Sequence, residues 1–468
     1  MMKKFLDDSF LLDNKTSEFL YNSFARDLPI IDYHSHINPE YLAENKHFGN
    51  LATLWITGDP YKHRAMRING LSEQGITGDE PDKIKYLNWV KTFPNTFGNP
   101  LFHWSCLELK RVFGIDEILS EQNSEEIWNF CNARLAEDGF GAMDILLKWK
   151  AEVVCTSDDL TNDLKYHETI NKKGNELKVL PSLRSDSIIS FDTGTFSSWL
   201  QKLCLQCNTT INNLDDYKEA IIKKLDHFNN TGCRLSDQSL DSGFTFLHTS
   251  ESEANTCFKS LLNGKMVHNN ELVALKSHLL VFLGEEYNRR GWTMELHIGA
   301  HRYTSTRLRT LAGPNGGYSA IGNACDIHSL CSLLDTLEKN GNLPRTILFT
   351  LNPVDNEAFA SITGSFSEDG IAGKIQFGPA WWYNDHYYGI QQQLMALSGY
   401  GLLSRFIGMT TDSRSILSFS RHEYFRRILC NMLGEWIEKG HFPNDVRLLE
   451  QIIKDISYNN SRNMLFNN

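Results

Sequence analysis

Short apolar runs, each closing on polar residues, recur along this chain of 468 residues. The first, Leu28-Pro29-Ile30-Ile31-Asp32-Tyr33, leads directly into His34-Ser35-His36. The others are Val153–Asp159, Val179–Arg184, a weaker Cys233–Asp237, Trp292–His297, Thr346–Asn352, Gly373–Gly378 and Arg405–Asp412. Between them lie stretches with apolar residues at helical spacing, such as Tyr217–Phe228 and Ser329–Glu338. Strands alternating with helices predict parallel βαβ units. Eight such strands close naturally into a (β/α)8 TIM barrel of the α/β class, whose chemistry sits at the C-terminal ends of the strands.

One connection breaks the rhythm. Roughly a hundred residues separate His36 from the second strand, far more than an ordinary βα loop. Within it, Phe102–Phe113, Ser124–Ala136 and Met143–Trp149 carry apolar residues at helical spacing. The expectation is a helical insertion at about 40–150, lying over the mouth of the barrel. With no repeats or linkers, residues 1–468 read as a single elaborated domain.

The hydrophobic content of 41%, with 11% aromatics, is enough for a large core and excludes disorder. A net charge of -11 argues against a nucleic-acid surface. Met1–Leu12 mixes Lys3, Lys4, Asp7 and Asp8 with apolar residues, so neither a signal peptide nor a membrane span is expected there. Ten scattered cysteines fit a reduced, cytoplasmic protein. Cys204-x-x-Cys207 has no second pair or nearby histidine and reads as two ordinary cysteines.

Side chains alternate along a strand, so His34 and His36 are expected on one face, about 7 Å apart. Imidazoles so placed suit zinc and similar divalent ions. In a closed barrel the first and eighth strands are neighbours, which lets Asp412 reach the same ion. His297, ending the fifth strand, either ligates the metal or hydrogen-bonds the substrate. The sixth strand ends in Asn352-Pro353 and no lysine ends the fourth. A single-ion site is therefore expected, with zinc as the ion.

The stretches IDYHSH (31–36), GDPYKHRAMR (58–67), CTSDD (155–159), LPSLRSD (180–186), GCRLSD (232–237), LHIGAHR (296–302) and NP (352–353) resemble the uronate (glucuronate) isomerase family of the amidohydrolase superfamily. So do KIQFG with WWYND (374–385) and GLLSRFIGMTTDSRSILSFSRHEYFRR (401–427). The resemblance runs from end to end. It implies an amidohydrolase-type barrel that interconverts D-glucuronate with D-fructuronate and D-galacturonate with D-tagaturonate. Moving a carbonyl from C1 to C2 needs a group that takes a proton from C2 and returns it at C1. By resemblance Tyr61 has that task, while Asp412 serves ring opening beside the metal. Arg184 and Arg414 offer planar forks to a carboxylate or an enediolate oxygen, and Arg302 and Trp382 are further substrate contacts. A tyrosine with pKa about 10 needs cationic help to act as a base. Lys62, His63 and Arg64 follow it directly. Expected partners are a small sugar acid and further copies of this chain, with no nucleic acid and no membrane.

Three departures from the family pattern stand out. Pro60 replaces a histidine before the tyrosine, Gln238 replaces another after the fourth strand, and Tyr303-Thr304-Ser305-Thr306 replaces an asparagine-rich stretch. They leave open an isomerase with a shifted sugar-acid preference. Two other readings compete: a metal-dependent hydrolase with metal-activated water, and a non-catalytic sugar-acid sensor.

Overall fold

The computed structural model describes residues 4–191 and 194–466. Seven parallel strands form one curled sheet in sequential order: β1 (Ile30–Asp32), β2 (Ala151–Asp159), β3 (Lys178–Arg184), β4 (Leu235–Leu240), β5 (Thr293–Ile298), β6 (Thr346–Thr350) and β7 (Ile375–Phe377). The strands are buried almost throughout, as expected where helices cover a parallel sheet. Register brings Arg184 beside Asp237, Asp237 beside Glu295, and His297 beside Phe349.

The eighth expected strand, Arg405–Asp412, does not join the ladder. It crosses the gap between β7 and β1 on a mixture of side-chain and backbone hydrogen bonds instead. On one side Gln376 Nε2 donates to the Arg405 carbonyl at 3.1 Å. On the other, the Asp412 amide donates to the His34 carbonyl at 3.0 Å, and the His36 amide to that of Ser413 at 2.9 Å. Beneath these the Asp32 carboxylate, fully buried, accepts the Thr411 amide at 2.8 Å and the hydroxyls of Thr410 and Thr411 at 2.5 and 2.6 Å. A carboxylate thus adds to two backbone bonds where a full carbonyl ladder would run. Gly408 adds a positive φ of 81°, at a point where a Cβ would meet the Ile456 carbonyl oxygen at 2.2 Å.

Asp32 therefore helps to close the ring. Asp32→Ala would leave the Thr411 amide and hydroxyl unpaired in the core, while the Thr410 hydroxyl keeps the His34 carbonyl at 2.8 Å, and is expected to cost at least about 2 kcal/mol. Denaturant unfolding of the purified variant measures this, and an unchanged midpoint would refute the closing role.

The first strand also ends earlier than expected, at Asp32, so His34 and His36 stand on an irregular stretch beyond it. In the insertion, Pro100–Glu108, Ser124–Leu135 and Ala142–Lys148 are helices, matching the helical spacing. The insertion reaches the cleft through a further helix, Pro60–Ile68. Asp59 caps that helix by accepting the amides of Tyr61 and Lys62, and Pro60 opens it. Among the described residues no helix is long and apolar enough to cross a membrane.

Candidate active site

At the C-terminal ends of the strands lies a cleft of about 760 Å³, counted out to its open mouth. His34, His36, Asp237, His297 and Asp412 all line it. The His34 and His36 rings stand 5.3 Å apart and nearly perpendicular, closer than the 7 Å of a regular strand. The turn after β1 brings both imidazoles onto one oxygen: His36 Nε2 lies 2.9 Å and His34 Nε2 3.2 Å from Asp412 Oδ1. The other oxygen, Oδ2, accepts two indole N–H groups, from Trp381 at 2.6 Å and Trp382 at 2.7 Å. Asp412 holds this pose at φ 45°, a left-handed conformation that is strained for a non-glycine residue.

A second grouping shares His34. His297 Nδ1 lies 3.0 Å from Asp237 Oδ1, and the His297 ring stacks on Phe349 at 4.3 Å. The ligand atoms of His34, His36 and Asp412, and those of His34, Asp237 and His297, form two sets that could each hold a metal ion. The surroundings fit a cation. His297 Nε2 is buried without a hydrogen-bond partner, and three buried carboxylates, Asp237, Glu295 and Asp412, crowd the three imidazoles. Glu295 Oε2 is 2.9 Å from His34 Nδ1, without the alignment of a hydrogen bond.

The electrostatics follow from that crowding. Burial opposes a charge on His34, but Glu295, Asp237 and Asp412 outweigh it and raise its pKa well above the ordinary value. Burial, with Arg414 and Arg184, pushes His36 down to about 4 against the pull of Asp412. Burial also works against the Asp412 carboxylate, yet its contacts with His34 and His36 hold its pKa well below the usual range.

The arginines surround the cleft. Arg184 is held by Asp186, with Nε at 3.0 Å, and lies 3.6 Å from Asp237. Gln238, one of the departures, braces the same Asp186 through its amide at 3.1 Å. Arg302 donates to Asp241 at 2.8 Å and to Ser239 at 3.0 Å, and its guanidinium sits 4.9 Å from the Trp382 ring. Arg414 lines the same cleft beside Tyr61 and Pro60.

Residues 2–465 match the family model described as glucuronate isomerase. A uronate isomerase of Caldanaerobacter subterraneus subsp. tengcongensis is 44% identical over 98% of this chain and 99% of its own. One from Bacillus licheniformis is 45% identical over 98% and 97%. The chain belongs to the glucuronate isomerase family. The crystal structure of a uronate isomerase from Thermotoga maritima superposes on it with a TM-score of 0.93, at 30% identity, over 99% of this chain and 100% of that one. Membership makes the chain an aldose–ketose isomerase, and the hydrolase and sensor readings give way.

In this family member two of the three cationic neighbours expected for Tyr61, Lys62 and His63, lie outside the lining of the cleft. Lys62 turns inward to Asp59 and Glu108. His63 is buried with its pKa pushed down to about 4 by desolvation. Arg64 lies over the Tyr383 ring at 4.7 Å. Arg421 lies over the phenol ring, 5.8 Å from its centroid, and is paired with Asp385 at 2.7 Å. Burial raises the Tyr61 pKa well above 10 despite Arg421, and Asp412 adds to the rise.

Glu295 and Trp381 were not among the residues singled out from the sequence, and Asp237 figured only within a matched stretch. Glu295 had a signal: it is a charge inside an apolar run, two residues before His297 and so on the same face.

Proposed function

We propose that this isomerase interconverts D-glucuronate with D-fructuronate and D-galacturonate with D-tagaturonate by proton transfer. One divalent ion, zinc, would be held by His34, His36 and Asp412, with His297 facing the same place. The observation that carries the reading is the charge layout of the cleft. A cluster of carboxylates and imidazoles stands beside Arg184, Arg302 and Arg414, a setting for a cation and a sugar carboxylate side by side. When bound, such an ion supplies a Lewis acid that polarises a carbonyl and steadies charge on neighbouring oxygens.

The chain's own groups do the rest. Asp412, kept ionised by its imidazole neighbours, accepts the hydroxyl proton when the sugar ring opens. Tyr61 carries the proton between C2 and C1. Because burial favours the neutral phenol, its turn as a base depends on positive charge; Arg421 pulls in that direction and its partner Asp385 pulls against it. Arg184 and Arg414 bind anionic oxygens of the substrate, and Arg302 with Trp382 completes the grip. Trp381 and Trp382 keep Asp412 aimed through their shared hold on Oδ2. The ten cysteines are all free, which supports a reducing, cytoplasmic setting. We assign the whole chain to one elaborated domain that assembles into a homo-oligomer.

Rates of ketose formation from D-glucuronate, D-galacturonate and the neutral aldose D-glucose test the reading. Arg184→Met is expected to cost about 2–5 kcal/mol in kcat/KM on the uronates, the usual penalty for an unpaired anionic partner. The loss on D-glucose should be smaller, since no carboxylate is then left unpaired. Equal losses on both kinds of sugar would remove Arg184 from carboxylate recognition.

A further inference from the structure

Three buried charges, Asp59, Lys62 and Glu108, stand behind Tyr61, outside the lining of the cleft and nearly shut off from solvent. Lys62, 1% exposed, donates from Nζ to Asp59 Oδ2 at 2.7 Å and lies 3.5 Å from Glu108 Oε2. Glu108 accepts the Trp55 indole N–H at 2.5 Å, and the Lys62 ammonium sits 5.3 and 5.7 Å from the Trp55 and Trp89 rings. A buried ion cluster is a poor source of stability, because apolar residues of similar volume are often neutral or stabilising in its place. Its geometry points to another role.

Both oxygens of Asp59 are engaged, and in different directions. Oδ1 accepts the amides of Tyr61 and Lys62, fixing the first turn of the helix Pro60–Ile68. Oδ2 is held by Lys62, which is tied in turn to Glu108 on the helix Pro100–Glu108. That second helix also carries Trp104, whose ring meets Tyr61 edge-on at 5.9 Å and lies 4.7 Å from Arg421. The ion cluster and the Tyr61–Trp104 contact therefore pin the same pair of helices.

We propose that Asp59, Lys62 and Glu108 are positioning residues for Tyr61, setting where its hydroxyl stands in the cleft; this rests on the role of Tyr61 given above. A group held about 1 Å out of place can lose on the order of 100-fold in rate, so the device matters to turnover more than to folding.

A double-mutant cycle between Lys62→Met and Tyr61→Phe, read in kcat and KM on D-glucuronate with the metal-loaded protein, tests it. Lys62→Met alone is expected to lower kcat by about 30- to 100-fold with little change in KM. In the Tyr61→Phe background the same substitution should cost about threefold or less, because the group it positions is gone. Equal losses in both backgrounds, or no loss in either, would overturn the proposal while leaving Tyr61 in its role. Normal turnover of Tyr61→Phe by itself would overturn the role of Tyr61, and the proposal with it. Should Lys62→Met fail to fold, Asp59→Asn keeps the helix cap, removes the partner charge and runs the same cycle with the same outcomes.

Discussion

A His34→Ala/His36→Ala variant is expected to lose about one bound ion per chain and, with it, nearly all isomerase turnover. Both imidazoles converge on Asp412 Oδ1, at 2.9 and 3.2 Å, and His34 belongs to both groupings of metal-ligating side chains. The double variant therefore strikes either grouping. Single variants separate the two: His36→Ala should release the ion if it sits with Asp412, and His297→Ala if it sits with Asp237. Metal content of dialysed protein, measured beside circular dichroism, gives the answer. Full retention of metal by the double variant would place the ion elsewhere.

Tyr61→Phe and Asp412→Asn should each cost on the order of 100-fold or more in turnover, the usual range for an essential proton-transfer group. The first removes one hydroxyl and leaves the ring against Trp104. The second is harsher than its shape suggests. Oδ2 of Asp412 already accepts two indole N–H groups, and Oδ1 faces two imidazoles. A carboxamide must turn its NH2 toward one of these sets, so it loses either the hydrogen bonds from the tryptophans or the anionic oxygen that the two imidazoles share. Near-normal turnover of Tyr61→Phe would move the C2 proton to another group, with His297 the next candidate.

The barrel was legible because its signals are local. Buried strands read as apolar runs, and the insertion helices show their period within a dozen residues. The His34/His36 pair was legible for the same reason, since one short segment delivers both rings. What escaped the sequence was decided by partners far along the chain. The eighth strand looked like its fellows, yet the Asp32 carboxylate and two backbone bonds hold it where a full ladder was expected. Lys62 looked like a helper for Tyr61, but successive residues of a helix point about 100° apart. Tyr61 and Arg64, three apart, both reach the cleft, while Lys62 between them turns to Asp59 and Glu108. Arg421 was hidden within a matched stretch, because only the fold sets a residue of the helix Ser420–Glu438 against the phenol.

The central claim, that this cleft isomerises a uronate by proton transfer, is tested most directly in deuterium oxide. Metal-loaded protein is incubated with D-glucuronate, or with D-galacturonate, and followed by proton NMR. The account predicts that the matching ketose forms and carries solvent deuterium at C1. Folded, metal-loaded protein that forms no ketose from either sugar acid would contradict it.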